Sequence, residues 1–109
     1  MIELIQHSLA KHLSQALSNG IPKAESVARA IGMSERTLYR RLSDAGLTYQ
    51  DVLESTQKSL AETLLTQSGM TIAEVSFLTG FSEQSTFSRA FKRWVGQTPG
   101  AYRRAAQPA

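Results

Sequence analysis

The chain repeats itself, and that narrows what it can fold into more than any other feature. Gly32-Met33-Ser34-Glu35 returns as Gly80-Phe81-Ser82-Glu83 at an offset of 48. Leu38, Arg40 and Leu42 return as Phe87, Arg89 and Phe91 at 49, and Gly46-Leu47-Thr48 returns as Gly96-Gln97-Thr98 at 50. Two single-residue slips inside otherwise matching segments mark two copies of one unit. Each copy reads as a short helix, a glycine-containing turn of about four residues and a second helix, the layout of a helix-turn-helix. The small residues Ala28 and Ser76 lie four before the turn glycines, where two crossing helices need close approach. Leu38 and Phe87 then anchor the second helix of each copy to a core.

Helical periodicity fills the rest, and strand alternation is nearly absent. Ile2, Ile5, Leu9, Leu13 and Leu17 step by three and four as one apolar face, and Asn19-Gly20-Ile21-Pro22 ends that helix. Further helices are predicted over 24–31, from the Ser34 cap to Asp44, and from Thr48 to about Gln67, with Asp51 answering Thr48 as in a capping box. Thr71 and Glu74 form a second capping box for a helix to Thr79. Ser82 is the expected cap of the next, which runs to Trp94 or Val95, and Thr98-Pro99 opens a terminal helix through Tyr102. The expected fold is all-α, seven helices forming two helix-turn-helix subdomains joined by a long linker helix. The expected divisions are 1–47, the linker 48–68, 69–104, and a frayed tail over 105–109.

Composition excludes several classes of function. With no cysteine there is no disulfide framework, zinc knuckle, thiol nucleophile or iron–sulfur site. His7 and His12 are five apart, about 140° around a helix, which makes no chelate. No catalytic nucleophile–base pair, phosphate-binding glycine loop or metal cluster is visible, so neither an enzyme nor a cofactor or metal is expected. No apolar run approaches the roughly 20 residues of a membrane span, and the expected location is the cytoplasm. The net charge is only +3, but its distribution is uneven. Residues 1–54 carry six basic and six acidic side chains, whereas Gln84 to Arg104 holds five basic residues and no acid.

The outward faces of the two second helices indicate a partner. With Leu38 at 0° and about 100° per residue, Leu42 falls near 40° and Arg40 near 200°. Arg36, Ser43 and Tyr39 lie at about 160°, 140° and 100°, with Arg41 near 300° at the edge of the buried face. In the second copy Phe87, Phe91 and Trp94 gather within about 60° of one another, opposite Arg89, Ser85 and Lys92. The repeat pairs Arg36 with Ser85, Arg40 with Arg89 and Ser43 with Lys92. Both helices are thus expected to show an acid-free stripe around a central arginine, a residue that donates two parallel hydrogen bonds to guanine or clamps a phosphate. Arg41 is expected at a phosphate or in an ion pair. Phe77, Phe81, Phe87, Phe91 and Trp94 are expected in the core. Twenty residues of linker helix span roughly 30 Å, close to the roughly 34 Å between successive major-groove faces of B-DNA.

The run from Ala73-Glu74-Val75 through Gly80-Phe81-Ser82-Glu83-Gln84-Ser85-Thr86-Phe87-Ser88-Arg89-Ala90-Phe91-Lys92-Arg93-Trp94-Val95-Gly96-Gln97-Thr98-Pro99 to Tyr102-Arg103 resembles the signature of the AraC/XylS-type bacterial transcription regulators. Met33-Ser34-Glu35-Arg36-Thr37-Leu38-Tyr39-Arg40-Arg41-Leu42 is similar to that family's first helix-turn-helix. The resemblance implies that Arg36, Tyr39 and Arg40 read DNA from the first recognition helix, and Gln84, Ser85, Ser88 and Arg89 from the second. It also implies RNA polymerase as a protein partner, activation rather than repression, and an N-terminal sensor domain in a longer protein. Two positions depart from the pattern. Gln57 stands where an arginine is usual, and Lys23 where a Ser or Thr cap is usual; both imply lost local support. The alternative reading is a helical protein-interaction module, whose DNA affinity would be absent or indifferent to salt.

Overall fold

The computed structural model describes residues 2–67 and 69–106, with side chains from Ile5 onward. Among the described residues there are seven α-helices and no strand. They are α1 (Ile2–Ala16), α2 (Ala24–Ala30), α3 (Glu35–Asp44), α4 (Tyr49–Gln67), α5 (Ile72–Leu78), α6 (Gln84–Val95) and α7 (Pro99–Ala106), with a 3₁₀ turn at Leu17–Asn19 after α1. The all-α expectation holds. The last helix runs further than Tyr102, so Ala105 and Ala106 are helical; Ser68 of the expected linker and 107–109 of the expected tail lie outside the described residues.

The apolar positions sort into two clusters. Ile5, Leu9, Leu13 and Leu17 of the first amphipathic stretch meet Val27, Ala28, Leu38, Leu42, Val52 and Leu53. Ala61, Leu65, Val75, Phe87 and Phe91 form the second, with Phe81, Trp94 and Tyr102 packed against it. Helix α4 gives its first half to one cluster and its second half to the other. Phe87 and Phe91 are fully buried, each stabilising the fold by about 1.5–3 kcal/mol through burial.

The duplication extends to individual backbone hydrogen bonds. After α2, the N–H of Gly32 donates to the Arg29 carbonyl (3.1 Å) and that of Met33 to Ala28 (2.9 Å). After α5, Gly80 donates to Phe77 (3.1 Å) and Phe81 to Ser76 (3.1 Å). Both are Schellman closures, which require a left-handed residue at the glycine; Gly32 has φ +84° and Gly80 +97°. Ala28 and Ser76 are buried as the close-approach positions.

Caps follow the sequence with one exception. Thr48 and Asp51 exchange bonds (2.8 and 3.0 Å), as do Thr71 and Glu74 (2.8 and 3.1 Å). Ser34 accepts from the Thr37 N–H at 3.1 Å. Ser82 does not cap α6; the cap position is Glu83, with no side-chain bond. The cause is the first slip in the repeat: the second copy has one residue more between turn and helix, which moves the serine out of register.

Phe77 corrects a second expectation. It is 64% exposed, not core. Val75 points inward from the short α5, and Phe77 sits about 200° around the helix from it. Phe81 and Trp94 are half-buried, while Phe87 and Phe91 are enclosed.

The halves also touch directly, in addition to sharing the linker helix α4. A Cβ built on Gly80 would meet Leu17 Cδ2 at 3.0 Å and Ile21 Cγ1 at 3.2 Å. Gln57, 2% exposed, donates from Nε2 to the Thr79 carbonyl at 3.0 Å. The glutamine therefore gives local support across the halves, contrary to the expectation of its loss. Lys23 caps α2 with no side-chain bond, as expected.

Candidate nucleic-acid interface

Helix α3 is pinned by Leu38 and Leu42, and α6 by Phe87, Ala90 and Phe91. Their opposite faces are turned outward. Arg36, Tyr39, Arg40 and Arg41 are exposed on α3, and Gln84, Ser85, Arg89 and Lys92 on α6. Ser88 is half-buried at the flank of α6. The pairing of Arg40 with Arg89 thus survives as two matched guanidinium groups on two outward faces. Arg41 is exposed and forms no ion pair among the described residues. Partial burial and the Glu35 carboxylate one turn earlier hold the Tyr39 phenol above its ordinary value, so at neutral pH it is a neutral hydrogen-bonding group.

The stripe on α3 is not acid-free. Asp44 follows Arg40 by one turn, and its carboxylate lies 4.0 Å from the Arg40 guanidinium. The periodicity places Asp44 at about 240° on the same wheel, so this pair was legible. At the matching position of α6 the residue is Arg93. The two faces therefore differ in charge at the end of the recognition helix.

Arg93 lies 3.7 Å from Glu54 of α4. The same carboxylate accepts from the Trp94 indole N–H at 2.8 Å and from Gln50 at 2.7 Å. Trp94 lies 40 residues from Glu54 along the chain, and no local spacing reveals that contact. Hydrogen bonds from Gln50 and then Trp94, with the Arg93 charge, hold the Glu54 carboxyl below its ordinary 4.5 against the opposing effect of burial. A carboxyl whose folded value is depressed contributes its full stability above the unfolded value and loses it as pH falls through the folded one. Trp94 is the only tryptophan, so its emission reports this contact. We expect emission to hold steady from pH 8 to about 5.5 and to change below about 4.5 as Glu54 takes up a proton. A change centred between pH 6 and 7 would contradict this origin.

Not every basic residue of the Gln84–Arg104 run faces outward. Arg103 turns inward, and its Nε donates to the Leu65 carbonyl at 2.8 Å, near the C-terminus of α4. It thereby satisfies a carbonyl that the last turn leaves without an intrahelical partner. Replacing Arg103 with alanine should lower stability by about 1–2 kcal/mol in urea unfolding. The salt dependence of any polyanion binding should stay as it was.

Residues 27–105 match the model of the helix-turn-helix domain family. Over 98% of its length the chain superposes on 96% of an AraC-type DNA-binding-domain protein from Chromobacterium violaceum, with a TM-score of 0.82 at 21% identity, a likeness of fold. The chain belongs to the AraC/XylS-type family. This AraC-type domain is also 40% identical over 95 residues to the ornithine utilization regulator of Pseudomonas aeruginosa, covering 87% of the chain but 28% of that regulator. It is similar, at 27% identity and a TM-score of 0.73, to the DNA-binding domain of the transcriptional factor AdpA in complex with a target DNA, over 92% of this chain and 90% of that one. The AraC-type domain thus spans less than a third of the length of the curated regulator it matches. No helix among the described residues is long and apolar enough to cross a membrane.

Proposed function

We propose that this AraC-type domain is the sequence-reading module of a bacterial transcription regulator, placing α3 and α6 in successive major grooves of one double-stranded DNA. The observation that carries the reading is the repeated turn: two copies with the same hydrogen bonds each present an arginine, Arg40 or Arg89, at the same outward position. Arg36, Tyr39 and Arg40 serve the first half-site, and Gln84, Ser85, Ser88 and Arg89 the second. Arg41 and Lys92 contact phosphates. The 19 residues of α4 rise about 28 Å, which supports a bipartite site with half-sites about one helical turn apart.

The length of the regulators it resembles supports a further, effector-responsive sensor domain in the whole protein, with RNA polymerase as the partner for activation in the cytoplasm. The chemistry assigned to these residues is recognition, with no catalytic role. The test is selection of bound duplexes from a random pool, followed by a salt titration on the enriched duplex. We expect a bipartite motif and affinity that falls linearly with log salt. A pool that enriches no motif would overturn the reading in favour of protein docking.

A further inference from the structure

We propose that Glu54 is a positioning residue that fixes the orientation of α6 relative to α3, and so sets the half-site spacing this domain accepts; this rests on the DNA reading above. Glu54 stands on the part of α4 whose neighbours Val52 and Leu53 belong to the first core. Its carboxylate reaches the last turn of the second recognition helix, at Trp94 (2.8 Å) and Arg93 (3.7 Å). Gln50, one turn earlier on α4, donates to the other carboxylate oxygen at 2.7 Å and holds its rotamer.

The mechanics of the junction give this contact its importance. Two further ties across the halves, Gln57 to the Thr79 carbonyl and Gly80 against Leu17 and Ile21, both grip the end of α5. The continuous helix α4 also couples the halves, through Val52 and Leu53 in the first core and Ala61 and Leu65 in the second. A cleft of about 300 Å³ bordered by Ile21, Gln57, Thr86 and Arg89 lies beside Glu54 and Trp94, while Phe87 and Phe91 of α6 share the second core with Ala61 and Leu65 of α4. Glu54 adds a hydrogen bond and an ion pair at the last turn of α6, where neither of the two ties at α5 reaches. A rigid pair of readers binds a second half-site at a high effective concentration only where the spacing fits.

Two measurements test this. Affinity is measured for the selected bipartite duplex, for each half-site alone, and for duplexes with the spacer changed by one or two base pairs. Glu54→Ala and Trp94→Phe should each weaken the full site about tenfold, leave half-site affinity as it was and flatten the dependence on spacer length. Glu54→Gln keeps an acceptor for the indole and should retain most of the preference. The second measurement needs no DNA. Because the chain has no cysteine, Ser26→Cys and Gln97→Cys give two unique spin-label sites, one in each half. Their distance distribution should be narrow with Glu54 present and broader in Glu54→Ala and Trp94→Phe, at unchanged helix content. Equal widths, or an unaltered spacer profile in both variants, would overturn the role of Glu54. A parent domain that selects no duplex would instead overturn the DNA reading, and the distance distributions would still decide whether Glu54 holds the halves.

Discussion

Replacing Gly80 with alanine should destabilise the domain by about 2–5 kcal/mol, whereas the same change at its repeat partner Gly32 should cost only about 1–2. Both glycines have positive φ, +97° and +84°, so both substitutions carry the left-handed penalty of about 1–2 kcal/mol for an L-residue. They differ in what the new methyl group meets. At Gly32 nothing lies within 4 Å. At Gly80 the methyl would sit 3.0 Å from Leu17, which is fully buried, and 3.2 Å from Ile21. Leu17 belongs to the first core and cannot withdraw without disturbing it, so an overpacking cost of about 1–3 kcal/mol adds to the strain. Urea unfolding of the two variants against the parent measures the difference. Equal losses at the two positions would mean that Leu17 and Ile21 give way to the added methyl group without cost, against the close packing at Gly80.

That asymmetry between equivalent glycines marks where sequence reasoning stopped. The repeat, the glycine turns, the reciprocal caps at Thr48 and Thr71 and the inward positions of Leu38 and Phe87 were all legible, because they depend on residues within a few positions of one another. The outward placement of Arg40 and Arg89 followed from the same arithmetic. Phe77 is exposed because it lies on α5, about 200° around from the inward Val75, so the spacing that buries Phe87 and Phe91 on α6 does not carry back across the Gly80 turn. Ser82 was misplaced because the slip in the repeat falls between it and the helix it was expected to cap. The inward turn of Arg103 is not legible in its place in the basic run, because charge counting along the chain cannot see a carbonyl at Leu65. Glu54, Gln57 and Gly80 act across the junction of the two copies. A repeat describes what each copy does with itself and is silent on how one copy sits against the other.

Substituting Arg40 or Arg89 with alanine should weaken binding to the selected duplex by about 1–3 kcal/mol each, from about fivefold to over a hundredfold. The loss should be much smaller on random duplex, since a guanidinium pairing with a guanine edge contributes little where that base is absent. Lys92→Ala and Arg41→Ala should behave differently: a phosphate contact weakens all sequences nearly alike and lowers the salt slope by about one. The Asp44 carboxylate 4.0 Å from Arg40 does not reverse the first expectation, because an exposed pair on one helix face contributes about 0.3–0.5 kcal/mol, well below a bidentate base contact. Arg40 and Arg89 sit in separate units with separate cores, so their losses should add in the double variant. Additivity together with an unchanged salt slope would identify both as base readers. Equal loss on selected and random duplexes would instead assign the arginine concerned to the phosphate backbone and leave sequence reading to its neighbours Arg36 and Tyr39, or Ser85 and Ser88.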